Sequence, residues 1–206
     1  MSDRIELIRR AFDGRAADYD DSTMHRTLAA DVADAVDLDG ARTVLDIATG
    51  TGLVLRALAQ RADGIRLIGI DISSSMLAVA ERALPVAEWI TAEATQLPLL
   101  PASMDIAICV TALHIIPDVP AALDEWHRVL RPGGRLITAT FSSEYRSGIP
   151  KASTNRTYPS DHDPYASVPA ISATLAPHGF GLRAHRNWTD GTDAVLIAEF
   201  VAESRP

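Results

Sequence analysis

One nine-residue segment, residues 44–52 with the sequence VLDIATGTG, constrains the fold of this chain more than any other feature. It continues an apolar run that begins at Thr43 and leads into two glycines, after which residues 53–61 have helical spacing. Because glycine has no side chain, Gly50 and Gly52 allow the backbone to turn tightly and a ligand to approach the main chain. The N-terminus of the next helix would present N–H groups to an anionic ligand group. The segment therefore predicts a buried strand, a ligand-binding turn and a helix.

The rest of the chain alternates short apolar runs with segments of helical periodicity. The apolar runs predict strands at residues 43–47, 66–70, 88–92, 105–110, 135–141, 180–188 and 194–202. Helical spacing occurs at residues 4–12, 22–37, 53–61, 73–83, 121–130 and 167–177, with Ser22 and Ser73 as candidate N-caps. Alternation of this kind predicts an α/β fold with a doubly covered, mostly parallel sheet. The short turn at Asp190 and Gly191 predicts that the last two strands form an antiparallel hairpin.

Length and composition favour one domain. The 206 residues, 47% of them hydrophobic, suit a single unit over residues 1–206, with an N-terminal helical cap at residues 1–40 and a substrate loop at residues 142–166. A net charge of −8 argues against nucleic acid as a partner. The chain has no apolar stretch long enough to span a membrane and no signal-peptide core, so we expect a cytoplasmic protein. With Cys109 as its single cysteine, it is expected to have neither an internal disulfide nor a cysteine-based metal site.

An acid at the end of the second strand points to a nucleoside. Asp71 stands nineteen residues beyond Gly52, where a carboxylate can accept hydrogen bonds from both ribose hydroxyls. The third glycine of the dinucleotide fingerprint is replaced by Leu55, and Asp46, just before the turn, would repel a pyrophosphate. Asp46 suits a ligand with a positively charged end, such as an ammonium and a sulfonium. The sequence therefore favours S-adenosylmethionine over NAD.

With these features, the chain resembles the class I S-adenosylmethionine-dependent methyltransferases. It is most similar to the small-molecule group that includes the ubiquinone and menaquinone biosynthesis enzymes. The resemblance covers residues 12–141 and rests on four segments: FDGRAADYD, VLDIATGTG, GIDISSSML and TAEATQLPL. Ala48 replaces the first glycine of the family's glycine-rich motif, and Glu93 replaces its usual aspartate. The resemblance implies a Rossmann-like, seven-stranded sheet that ends in an antiparallel hairpin.

The resemblance also implies a set of cofactor-binding residues. Asp71 would bind the ribose, Glu93 would accept from the adenine amino group, and Tyr19 would close over the cofactor. The complete expected set is Tyr19, Asp46, Ala48, Thr49, Gly50, Gly52, Asp71, Ile72, Met76, Glu93, Ala94 and Val110.

The methyl acceptor is less constrained. His114 follows the fourth strand and is the candidate general base, because an imidazole titrates near neutral pH. Candidate substrate contacts are His25, Tyr145, Tyr158 and His162. Residues 110–113 read VTAL, without the Pro-Pro-Tyr motif of amino-group DNA methylases, so we expect a small organic acceptor methylated at oxygen, carbon or nitrogen. Two alternatives stay open: a protein that binds the cofactor without transferring its methyl group, and a nucleotide-dependent oxidoreductase.

Overall fold

A computed structural model describes residues 3–61, 63–142 and 158–204 of the chain. Most of the expected substrate loop, including Tyr145, lies outside the described residues.

A seven-stranded sheet forms the centre of the molecule, in the order β3-β2-β1-β4-β5-β7-β6. β1 to β5 run parallel, and β7 is antiparallel to both of its neighbours. The strands are β1 Thr43–Ile47, β2 Arg66–Asp71, β3 Glu88–Thr91, β4 Met104–Val110, β5 Leu130–Phe141, β6 Phe180–Thr189 and β7 Ala194–Ala202. The strand order reverses between β1 and β4, and ligands of open α/β sheets bind at such a switch point. The predicted mostly parallel sheet with a terminal hairpin is confirmed.

Helices cover both faces of the sheet. They are α1 Asp3–Asp13, α2 Thr23–Ala35, α3 Leu53–Leu58, α4 Ser74–Ala83, α5 Val119–Val129 and α6 Val168–Leu175. Alternate residues of β1 face opposite cores: Val44 packs with residues of α2 and α3, whereas Leu45 and Ile47 pack with residues of α5 and α6. This alternation explains why the consecutive residues Val44 and Leu45 are both apolar.

Local signals set the starts of the helices, as predicted. The Ser22 side chain accepts a hydrogen bond from the His25 amide, and the Ser73 side chain accepts one from the Met76 amide. The predicted start of β5 at residue 135 is wrong, because β5 begins at Leu130. Its register against β4 shifts between the pairs Met104–Leu130 and Ile106–Arg135, so Pro132, Gly133 and Gly134 lie in a bulge within the strand.

The helices of the described ranges are all too short or too polar to cross a membrane.

Candidate cofactor site

A cleft of about 800 Å³, including its open mouth, lies at the carboxyl ends of β1, β2, β3 and β4. Parallel strands bring these ends to one edge of the sheet, so segments distant in sequence meet there. The residues just after each strand, among them Ala48, Ile72, Ala92 and Thr111, line its floor. The apolar side chains Ile5, Ile8 and Phe12 of α1 form the opposite wall.

Asp71 is held in place at the end of β2. Only 8% of the residue is exposed, and it lines the cleft. Its Oδ2 accepts a hydrogen bond from the Gly50 amide at 2.9 Å, and its Oδ1 accepts one from the Ser73 amide at 2.8 Å. Burial raises the pKa of Asp71, while these backbone donors lower it. Each carboxylate oxygen keeps further acceptor capacity for the hydroxyls of a ribose.

One end of the cleft suits a planar apolar ring with a polar edge. Ile72, Glu93 and Ala94 line it as the sequence predicted, and so does Thr95, which sequence reasoning missed. Met76 differs from these residues, because it is fully buried. Met76 is not among the described residues that line the cleft, and its contact with the ring stays a prediction.

A second pocket of about 390 Å³ adjoins the cleft. The two share Tyr19, Ala48, Val110 and Thr111, and are therefore immediate neighbours. The second pocket is further lined by His25, Leu28, Ala29, Asp46, Thr49, Thr51, Leu53 and Val54. Gly52, expected to contact the cofactor, is in neither lining among the described residues; a β-carbon there would lie 2.5 Å from Cη2 of Trp89. Gly52 is thus required by packing and by its φ of 77°.

Asp46 places a carboxyl group in the lining of the second pocket. The residue is 2% exposed, and the Thr49 hydroxyl donates to its Oδ2 at 2.6 Å. Burial raises the pKa of Asp46 to about 7, although the Thr49 hydrogen bond lowers it and nearby Asp71 raises it further. A buried carboxylate of this kind is stabilised by an adjacent cation. The pocket therefore suits a ligand with a positively charged group.

The backbone adopts the left-handed region at two non-glycine residues of the shared lining. Ala48 has a φ of 56° and Thr111 a φ of 52°. Side chains disfavour this region, which explains why glycine suits the position of Ala48. Such strained residues cluster at functional sites.

Residues 3–21, which we call the N-terminal cover, lie over the cleft and are held by two aspartates. Asp13 accepts a hydrogen bond from the Ser73 hydroxyl at 2.6 Å, at the start of α4. Asp20 accepts one from the Thr51 hydroxyl and one from Arg56, both at 2.6 Å. Sequence reasoning missed both aspartates, since nothing in the chain near them indicates partners far along the sequence.

Tyr19 of the cover lines both pockets. Its ring stacks on His25 with centroids 4.3 Å apart and an interplanar angle of 14°. A β-carbon on Gly50 would lie 3.9 Å from Tyr19 Cε1, so the ring closely approaches the glycine turn. Burial raises the pKa of Tyr19 to about 12, which keeps the phenol protonated.

His114, the histidine expected to act as a base, packs against two aromatic rings. His114 is buried, and its ring stacks on His162 at 4.1 Å and packs edge-on against Phe141 at 5.6 Å. His114 and His162 are absent from the described linings of both pockets, and the role of His114 as a general base stays a prediction. Tyr158 packs on Phe12 at 5.7 Å and thereby reaches the cleft wall.

The sequence of this chain is similar to those of known methyltransferases. Residues 45–138 match a family model described as a methyltransferase domain. The chain is 31% identical over 163 residues to the ubiquinone/menaquinone biosynthesis C-methyltransferase UbiE of Dinoroseobacter shibae, covering 73% of this chain and 65% of that protein. It is 37% identical over 111 residues to the demethylmenaquinone methyltransferase of Paenarthrobacter aurescens, covering 54% of this chain and 43% of that one. The chain thus spans between about two fifths and two thirds of the length of these curated relatives.

A solved structure shares the fold over nearly its whole length. Magnesium protoporphyrin IX methyltransferase of Synechocystis, with bound S-adenosylmethionine, has a TM-score of 0.73 to this chain at 19% identity, covering 99% of both chains. At this identity the similarity concerns the fold.

Proposed function

Because this chain belongs to the S-adenosylmethionine-dependent methyltransferases, we propose that it transfers the methyl group of that cofactor to a small-molecule acceptor. The observation that carries the proposal is the pair of buried carboxylates, Asp71 and Asp46, on two adjoining pockets. Asp71 suits a ribose, and Asp46 suits the ammonium of an amino acid. S-Adenosylmethionine carries both groups.

The residues of the cleft have defined tasks in this proposal. Asp71 orients the ribose, Ile72 and Ala94 pack on the adenine, and Glu93 accepts from its amino group. Asp46 offsets the positive charge of the amino-acid end. When bound, the cofactor supplies a methyl group on a sulfonium, and the protein mainly aligns the acceptor for in-line displacement. A general base is needed only if the acceptor must lose a proton.

The lining of the cleft favours an apolar acceptor. This lining includes Ile5, Ile8 and Phe12 of α1 together with Ile115 and Ile116, and apolar walls bind apolar or aromatic molecules. The named activities of the curated relatives, in ubiquinone and menaquinone biosynthesis, agree with a ring-containing acceptor. The net charge of −8 opposes a nucleic-acid substrate. We therefore propose a small apolar acceptor methylated at carbon, oxygen or nitrogen.

Calorimetric titration with S-adenosylhomocysteine tests the cofactor site. The wild-type protein should bind it in the micromolar range, and Asp71→Ala should lose at least about tenfold in affinity, because both ribose contacts are removed. Glu88→Ala removes an exposed carboxylate that pairs with Arg66, away from the cleft, and should bind normally. A wild-type protein that fails to bind the ligand would overturn the proposal.

The position of His114 favours a second candidate function. For an acceptor that must lose a proton, the absence of this histidine from the described linings of both pockets leaves one alternative, a protein that binds the cofactor without transferring its methyl group. Mass spectrometry of an apolar acceptor library, incubated with the protein and S-adenosylmethionine, distinguishes the two. Tight binding without any methylated product would favour the alternative.

A further inference from the structure

We propose that Nδ1 of His25 binds the amino-acid end of the cofactor. The inference rests on the proposed function and adds a cofactor contact from α2, outside the glycine-rich turn. The sequence alone suggests His25 as a contact to the methyl acceptor, and the placement of its ring favours the cofactor instead.

His25 lines the second pocket, whereas the nucleoside of the cofactor would occupy the first cleft. Asp71 and Glu93 occupy the first cleft, whereas His25 lines the second pocket together with Asp46 and Thr49. A ligand held at its ribose by Asp71 would extend past Ala48 into this second pocket.

 Ala48 belongs to both linings, so the two pockets adjoin at this residue. The amino-acid end is therefore the part of the ligand that meets His25.

The His25 ring is fixed in position but lacks a partner for one nitrogen. Its stacking on Tyr19, at 4.3 Å between centroids, sets the plane of the imidazole. Nδ1 is buried and makes no hydrogen bond within the described ranges of the chain. A buried polar atom without a partner costs free energy, and such atoms mark places where a ligand or water binds.

The chemistry of the amino-acid end matches this nitrogen. A neutral imidazole has one donor and one acceptor nitrogen, and an amino acid offers both an ammonium donor and a carboxylate acceptor. Nδ1 therefore finds a partner in either tautomer. Burial, followed by the charge of Arg15, lowers the pKa of His25, while a backbone hydrogen bond to Tyr19 and the charge of Asp20 raise it. The net lowering favours the neutral ring.

Two ligands that differ only in the amino-acid end test the inference by calorimetry. S-Adenosylhomocysteine carries this end, and 5′-methylthioadenosine lacks it. His25→Phe keeps a ring to stack on Tyr19 but removes the nitrogen, and should weaken S-adenosylhomocysteine about tenfold while leaving 5′-methylthioadenosine unchanged. His25→Asn retains a polar atom near the position of Nδ1 and should keep most of the affinity. His185→Phe, on the exposed face of β6, is the control and should bind both ligands normally.

The other outcomes overturn the inference. Equal binding of S-adenosylhomocysteine by His25→Phe and the wild type would show that Nδ1 makes no such contact. Equal weakening of both ligands would show that the ring only supports the fold, and the same holds if His25→Asn is as weak as His25→Phe. If His25→Phe does not fold, a loss of the difference between the two ligands in His25→Gln decides the matter, and an unchanged difference overturns the inference. Failure of the wild type to bind either ligand would instead overturn the proposed function.

Discussion

The indole ring of Trp89, on β3, lies directly over Gly69 of the neighbouring strand β2. A β-carbon added to Gly69 would come 2.5 Å from Cε3 of Trp89. The indole nitrogen donates to the Leu84 carbonyl at 3.1 Å, which holds the ring in this position. The same ring covers Gly52 at the end of the glycine turn. Trp89 therefore packs against Gly52 of the glycine turn and leaves no space there for a side chain.

Gly69→Ala should destabilise the protein by about 1–3 kcal/mol, because the added methyl group has no space beneath the indole. Urea denaturation measures the change. Trp89→Leu removes the obstruction, so Gly69→Ala should cost less in that background than in the wild type. Strictly additive effects of the two substitutions would contradict this packing relationship.

Ala48→Gly should stabilise the protein by about 0.5–1 kcal/mol. The φ of 56° at Ala48 is disfavoured for any residue with a side chain, and this gain exceeds the extra freedom of glycine in the unfolded chain. Ala102→Gly is the matched control, since Ala102 has a φ of 51° and is exposed. Both variants should unfold at higher urea concentration, and a destabilised Ala48→Gly would contradict the argument.

Asp46→Asn should become more stable relative to the wild type as the pH rises. The pKa of Asp46 is raised from 3.8 to about 7 in the folded protein, so the folded state holds this proton more tightly than the unfolded state. The contribution of Asp46 to the free energy of unfolding of the wild type therefore falls as the pH rises from about 4 to about 7. Urea denaturation at pH 5 and pH 8 should give a larger advantage of the variant at pH 8. The exposed Asp39→Asn is the control, and a pH-independent difference would argue against a buried, protonated Asp46.

Asp20→Ala should release the N-terminal cover from α3. Its bonds to Thr51 and Arg56 are partly exposed, with 30% of the Asp20 side chain accessible, so their loss should be modest. We expect dissociation of S-adenosylhomocysteine to accelerate roughly two- to fivefold in a competition chase. Glu88→Ala breaks another ion pair, with Arg66, away from the cover and should leave the rate unchanged. An unaltered rate in Asp20→Ala would mean that the cover does not limit release.

The sequence predicts the strands and the position of Asp71 because both depend on local patterns. Strand periodicity and the turn at Gly50 involve neighbours in the chain, and the parallel sheet then brings the strand ends together. The placement of Asp71 follows from that topology alone.

Other features depend on contacts that no local pattern contains. After β4 the Thr111 backbone has a φ of 52°, and the His114 ring packs on His162. Met76 has the helical spacing of a ligand contact and of a core residue alike, and the packing of α4 decides for the core. Long-range packing thus determines the contacts that the sequence alone does not predict.

The position of β7 between β5 and β6 has a consequence for biosynthesis. On the ribosome, β5 and β6 emerge before the strand that must separate them, and both then have open hydrogen-bonding edges. A nascent chain that stalls before residue 194 would therefore have two unpaired strands that are prone to aggregate, and it would depend on chaperones.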